Sequence, residues 1–284
     1  MNIKIIAADS MGTRSMATYV ETEDIKLFID PAAALGPLRY SLPPHKKEEA
    51  KLKEHIGEII KHAKKCNVLI ITHYHYDHYN PDEFLEVFKD KTVYVKHPKE
   101  NINKSQQQRS KHFLDKLQNL SKEIIYSDGQ EAVFGNTKIT FSPAVFHGTD
   151  SKLGYVTEVL IDDGKEKFLF TSDVEGLAVE EQAEFILKNC PDIILADGPM
   201  TYMLGYRYSY DNFNKSIANL LEIIAKCKSK YLILDHHLLR DLKWKERTKA
   251  LYENAGKTKI VCAAEFMNLP LEMLEARRKE LWGK

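Results

Sequence analysis

The sequence predicts one mixed domain of strands and helices, residues 1–284. Three observations predict it: short apolar runs bounded by turn residues, segments between them with apolar residues at helical spacing, and no internal repeat or low-complexity linker. Apolar residues make up 43% of the chain, enough for a sizeable core, and 29% charged residues set it apart from disordered chains. Lys plus Arg and Asp plus Glu are both 41, so no bulk field draws the chain to nucleic acid or an anionic membrane. The opening Met1-Asn2-Ile3-Lys4-Ile5-Ile6 reads as a strand rather than a signal segment, and no apolar run approaches membrane-spanning length. A cytoplasmic location without membrane insertion is expected. Cys66, Cys190, Cys227 and Cys262 are scattered without CxxC spacing, which predicts reduced thiols.

In chain order, strands are expected over Ile3–Ala8, Ala17–Glu21 and Lys26–Asp30, with a polar loop from Asp9 to Ser15 between the first two. That loop is placed on the rim used by the histidines described below. Ala34 to Pro44 is irregular, with Gly36, Pro37, Pro43 and Pro44. Leu52, Ile56, Ile59, Ile60 and Ala63 define an amphipathic helix over Lys46–Lys65, leading into a Val68–Ile71 strand. Asn80-Pro81-Asp82-Glu83 combines a capping residue, a first-turn proline and a Glu three residues after the cap, predicting a short helix through Phe88. A strand over Thr92–Val95 and a helix over Gln106–Leu120 follow. Ala132–Phe134, Lys138–Ser142 and Gly154–Ile161 read as antiparallel strands turning at Gly135-Asn136 and Asp163-Gly164. Further buried strands are expected at Phe168–Thr171, Ile193–Ala196 and Tyr231–Leu234, with helices near 178–189, 211–227, 241–254 and 270–282.

The richest stretch is Thr72-His73-Tyr74-His75-Tyr76-Asp77-His78. An extended backbone projects His73, His75 and Asp77 to one side, and a turn is needed to bring His78 to join them. Imidazole and carboxylate suit zinc, with manganese or ferrous iron as competitors, and no nearby cysteine favours a closed structural site. Three more polar residues fall just past strand ends: His147, Asp173 and His236. Together these make the six or seven ligands that two divalent ions require.

This arrangement resembles the metallo-β-lactamase superfamily of binuclear hydrolases over almost the whole chain. Its His-x-His-x-Asp-His hallmark stands here as His73, His75, Asp77 and His78. The resemblance implies an α+β fold, a four-layer αββα sandwich with the site at one edge between two sheets. It implies that His73, His75 and His147 hold one metal, that Asp77, His78 and His236 hold the other, and that Asp173 bridges them. Asp30 is similar to the early strand-end aspartate of that fold. Asp235-His236-His237 and Asp197-Gly198-Pro199, followed by a tyrosine-rich loop, look like an archaeal group of predicted metal-dependent hydrolases in the same superfamily.

The adjacent histidines leave two candidates for one ligand position. Leu232-Ile233-Leu234-Asp235-His236 repeats the pattern of Ile70-Ile71-Thr72-His73, which assigns the ligand to His236 and leaves His237 as a partner group or proton donor. Asp77 is expected to orient the nucleophile, and Thr72, Asp235 or Asp30 to fix imidazole tautomers. Tyr74 and Tyr76 are expected to make the rim aromatic. Tyr202, Tyr206, Arg207, Tyr208 and Tyr210 form the candidate substrate rim, with Tyr202 and Arg207 as substrate-binding residues. The leading expectation is hydrolysis of a small ester, lactone or phosphoester. A nuclease or RNA-processing phosphodiesterase is the alternative, against which the zero net charge counts, and a non-hydrolytic iron or oxygen-binding protein is the third reading.

Overall fold

Strand burial follows residue type closely in this protein, whose computed structural model describes residues 1–284. The first sheet runs in sequence order through β1 (Asn2–Ile5), β2 (Thr18–Glu21), β3 (Lys26–Ile29), β4 (Val68–Ile71), β5 (Thr92–Val95) and β6 (Glu123–Tyr126). β1, β2 and β3 pair antiparallel, and β3 to β6 pair parallel. Parallel pairing requires crossovers, which α1 (Lys46–Ala63) supplies between β3 and β4 and α2 (Lys104–Leu117) between β5 and β6, while the irregular segment 72–91 joins β4 to β5. Buried on both faces, β4 is apolar throughout. Its Val68 and Ile70 pack toward the second sheet, while Leu69 and Ile71 pack with Ile59 and Ala63 of α1 and Phe113 and Leu117 of α2.

The second sheet begins with the hairpin β7 (Glu131–Phe134) and β8 (Thr137–Phe141), and a separate two-stranded ladder joins β9 (Val145–Phe146) to β10 (Tyr155–Val156). β11 (Val159–Asp162), β12 (Lys167–Phe170), β13 (Ile193–Asp197), β14 (Tyr231–Asp235) and β15 (Lys259–Val261) complete it in the order β15-β14-β13-β12-β11-β8-β7. β12 to β15 are parallel. The amphipathic helices α3 (Glu180–Asn189) and α4 (Tyr210–Cys227) bury Ala183, Ile186, Leu220 and Ile223 in the same cluster as Ile194 and Ile233. Helices, sheet, sheet and helices therefore stack in four layers. The carboxyl ends of β3, β4, β12, β13 and β14 open on one rim, the place where an open parallel sheet presents ligands.

Several expectations need correction. No α-helix forms over Asn80–Phe88. Asn80 Oδ1 does accept the N–H groups of Asp82 and Glu83, but Phe84 is left-handed (φ 40°) and only a 3-10 turn over Leu85–Phe88 follows. Asp82 is held instead by His112 and Lys116 of α2. The expected Gly154–Ile161 strand breaks at Thr157, whose N–H turns across to the Thr72 carbonyl of the first sheet. The region 241–254 holds two short helices, α5 (Trp244–Arg247) and α6 (Lys249–Glu253). After α7 (Ala263–Phe266), the expected helix at 270–282 shrinks to α8 (Arg278–Leu281). Met273 is left-handed (φ 42°), and Glu272 N–H binds the Ser10 carbonyl rather than a helical one. β6 and β15 are additional strands. Cys190 and Cys227, at the ends of α3 and α4, form a disulfide, contrary to the expected thiols, whereas Cys66 and Cys262 are free and buried. No helix is long and apolar enough to cross a membrane.

Candidate metal centre

β4 delivers Thr72 and His73 to the rim, and the chain then turns on itself, with His78 N–H bonded to the His75 carbonyl at 2.9 Å. That turn brings His78 round to the side of His73 and His75. Tyr74 alternates to the opposite side, fully buried in the helix-facing core with its hydroxyl on the Lys96 carbonyl, so of the two expected rim tyrosines only Tyr76, 51% exposed, reaches the rim. Three further strand ends aim their side chains through left-handed residues: Asp30 (φ 49°), Ser172 (φ 61°) and His236 (φ 57°). Such conformations are costly for residues other than glycine and persist where the surroundings hold them.

The seven expected ligands converge as two groups. His73, His75, His147 and Asp173 bring candidate ligand atoms within 4.8 Å of one another, and so do Asp77, His78, Asp173 and His236. Asp173 belongs to both. Its Oδ2 lies 3.2 Å from His147 Nε2 and 3.6 Å from His73 Nε2, and its Oδ1 lies 3.0 Å from both His78 Nε2 and His236 Nε2. His73 Nε2, His78 Nε2 and Asp173 Oδ1 are buried and, although the last two lie 3.0 Å apart, none makes a well-aligned hydrogen bond. Buried polar atoms are rarely left so, and inward-facing nitrogens and carboxylate oxygens without partners are the donor set a divalent cation satisfies. The residues fit such an ion.

The outer nitrogens are held by the surrounding protein. His78 Nδ1 lies 2.8 Å from Asp30 Oδ2, and the other Asp30 oxygen accepts the Thr72 N–H. His73 Nδ1 is 3.2 Å from both the Thr72 and Ser172 hydroxyls, which bond each other at 2.6 Å and so tie β4 to β12. His236 Nδ1 lies 2.8 Å from Asp9 Oδ2, placing the Asp9–Ser15 loop at the site as expected. Asp235 departs from expectation: its carboxylate accepts the backbone N–H groups of Ser10, His236 and Ala263 and touches no imidazole. Second partners of this kind fix the tautomer and aim of a ligand ring.

Burial pushes His75 down to about 3 and His73 well below its ordinary value, keeping both rings neutral with lone pairs available. Burial also opposes the charge on His78, but the Asp173 and Asp30 carboxylates outweigh it and raise that ring to about 10. A cation therefore has to displace a proton from His78, making its binding pH-dependent.

His237 belongs to neither group of four, but with Asp173 and Asp197 it makes a further set whose ligand atoms lie within 4.8 Å of one another. Its Nδ1 lies 2.9 Å from Asp197 Oδ2, and its ring lines a cavity of about 880 Å³ that also contains His75, Asp77 and Asp173. Tyr202, Tyr206 and Arg207 line this cavity too. The remaining rim tyrosines do not: Tyr208 is 1% exposed in a small core with Ala178 and Met200, and Tyr210 starts α4 facing solvent. Sequence reasoning placed the loops that begin at Asp9 and Asp197 on the rim without giving either carboxylate its histidine partner, and it missed Arg240. Arg240 Nε donates to Asp9 Oδ1 at 2.8 Å, and its only sequence signal is its position four residues after His236.

A family model described as the metallo-beta-lactamase superfamily matches residues 13–236. The chain belongs to the metallo-beta-lactamase superfamily. Within it, the chain is 50% identical over 284 residues to a UPF0282 protein of Korarchaeum cryptofilum, covering 99% of this chain and 94% of that one. Among solved structures it resembles the isothiocyanate hydrolase from Delia radicum gut bacteria (16% identical, TM-score 0.57, 88% of this chain and 94% of that one). It also resembles zinc-bound PqqB from Methylobacterium extorquens (12% identical, TM-score 0.57, 92% and 98%). These structural likenesses are likenesses of fold. The metallo-beta-lactamase architecture accounts for both the sandwich and the position of the His/Asp cluster on its rim.

Proposed function

We propose that the protein is a hydrolase that acts on a small ester, lactone or phosphoester with two divalent ions, zinc in preference to manganese or iron. One observation carries this reading: the two Asp173 oxygens face two different histidine groups, the disposition of a carboxylate shared between two cations. The hydrolase and zinc-bound relatives of this fold support it as precedent. His73, His75 and His147 would hold one ion, and Asp77, His78 and His236 the other. When bound, the ions would supply an acidified water and a Lewis acid for the scissile oxygen.

The protein's own residues do the rest. Asp77, on the cavity wall, orients the nucleophile. His237, fixed at Nδ1 by Asp197 and kept neutral because burial holds its ring well below the ordinary value, lines the cavity as the group that takes a proton from the nucleophile and passes it to the leaving group. Tyr202 and Arg207 bind the substrate's outer part. Zinc-, manganese- and iron-reconstituted protein screened against chromogenic esters, lactones, phosphodiesters and phosphomonoesters tests the reading. Turnover of at least one class that disappears with a chelator is expected. A loaded protein inert toward all of them, or one with the absorption spectrum of an oxygen-reactive iron site, overturns it. Turnover of RNA with strong salt dependence would instead support the phosphodiesterase alternative.

A further inference from the structure

Two arginines are almost wholly buried here, and they are satisfied very differently. Arg278 is fully buried, and all three of its side-chain nitrogens have acceptors: Nε and Nη2 bind the Glu48 carboxylate, Nη1 the Leu42 carbonyl, and Nη2 also the Gly36 carbonyl. That is a buried arginine with a purely structural role. Arg240 is 4% exposed, yet only its Nε has a carboxylate acceptor, Asp9. That same Asp9 also serves His236. Arg240 Nη2 lies against the His236 ring, 3.1 Å from Nε2, a nitrogen whose lone pair belongs to a cation when the ring is a ligand. Nη1 has no protein acceptor and is not among the buried unpartnered nitrogens, so it is open to the cavity.

A guanidinium has five N–H donors, and burying them without acceptors is costly. Arg240 nevertheless sits on the wall of the cavity beside the second ligand group, with Nη2 3.9 Å from Asp77 Oδ2. Arg39 Nη2 bonds the Arg240 carbonyl at 2.9 Å and Asp9 holds Nε, so backbone and fork are both fixed before any ligand arrives. The nearby Arg14 cannot take this part, because Glu275 holds it through two bonds of 2.6 and 2.7 Å.

We propose that Arg240 is the oxyanion anchor of this site, its unspent Nη donors receiving a phosphoryl or carboxyl group that lies next to the scissile bond. The anchor rests on the hydrolase reading above and makes the substrate anionic at its reacting end. Arg207, on the outer rim, then contributes little to that anion. A fixed planar fork beside a cation binds an oxyanion more tightly than a mobile surface charge does.

The test uses full-length protein loaded with zinc, with metal content and thermal unfolding measured for every variant. Inorganic phosphate and acetate are titrated calorimetrically. Arg240→Met is expected to keep its zinc and to weaken at least one anion by about tenfold or more, the scale of a charge-assisted hydrogen bond. Arg240→Lys, which keeps the charge but loses the fork, should fall between wild type and Arg240→Met, and Arg207→Met should change affinity less than about threefold on the same scale. Loss confined to phosphate identifies a phosphoryl group, and loss confined to acetate a carboxylate. The anchor is overturned if loaded Arg240→Met binds both anions like wild type, or if wild type takes up zinc and binds neither. Should Arg240→Met not fold, Arg240→Lys decides: wild-type affinity, or loss of zinc from a folded protein, makes Arg240 only a prop for Asp9 and His236. Wild type that takes up no metal overturns the hydrolase reading itself, and the anchor with it.

Discussion

His236 and His237 are adjacent in the chain, yet the left-handed backbone at His236 sends their rings to different partners at an interplanar angle of 81°. His236 faces Asp173 and Asp9, and His237 faces Asp197. We therefore expect His236→Ala to lose about one of two bound ions by elemental analysis. His237→Ala should keep both and slow turnover by about a hundredfold or more, as expected for loss of a general acid–base group. Asp173→Ala, which removes a group facing both halves, should lose metal and activity together; full metal content in that variant would refute the bridging role. The convergence of the seven candidate ligands was legible because each follows an apolar strand. Asp9 and Arg240 were not, because each acquires meaning only from a residue elsewhere in the fold: 227 positions separate Asp9 from His236, and 231 separate it from Arg240.

Elements with strong internal periodicity, such as α1 and β5, fell where the pattern put them. The failures lie where tertiary partners outbid the local signal, as at Asn80–Phe88, whose cap forms but whose helix is stopped by Phe84, and at 270–282, where Glu272 bonds the N-terminal loop. The disulfide joining the ends of α3 and α4 was invisible for the same reason. It closes a separation of 37 residues, so chain entropy assigns it about 3–4 kcal/mol. Thiol titration of oxidised, denatured protein should find two free cysteines, and Cys190→Ser should lower the unfolding temperature measurably. Glu158, at the break between β10 and β11, is fully buried with neither oxygen hydrogen-bonded, and burial raises its carboxyl well above the ordinary range. The folded state thus keeps its proton to higher pH than the unfolded chain. The sign follows: stability is lost as pH rises from the unfolded value of about 4.5 toward the folded one. Glu158→Gln should be more stable than wild type at pH 8, with the difference shrinking toward pH 4 in denaturant titrations.

Across the whole molecule, the candidate ligands come from both sheets and from the two-stranded ladder: His73 to His78 follow β4, His147 follows β9, Asp173 follows β12 and His236 follows β14. A cation bound among them links the two halves of the sandwich and binds only the folded state. Free zinc at about a hundred times its dissociation constant should add about 2.7 kcal/mol of stability. Calorimetry should show the unfolding temperature rising with zinc and falling with a chelator, and Asp173→Ala should respond to neither. The four-layer stacking was legible from the resemblance and the strand patterns. Of the cationic side chains that line the cavity, Arg207 was legible, whereas Arg14 and Arg240 were not, because distant parts of the chain supply them.

The Asp9 contact to His236 also sets an order of events during synthesis. The His73–His78 loop leaves the ribosome well before Asp173, the carboxylate proposed to bridge, and before His236. Only after residues near 240 emerge can the Asp9–Ser15 loop close on His236. On the proposed metal reading, the nascent chain therefore offers any cation only an open, exchangeable loop until β14 and the histidine that follows it have been made.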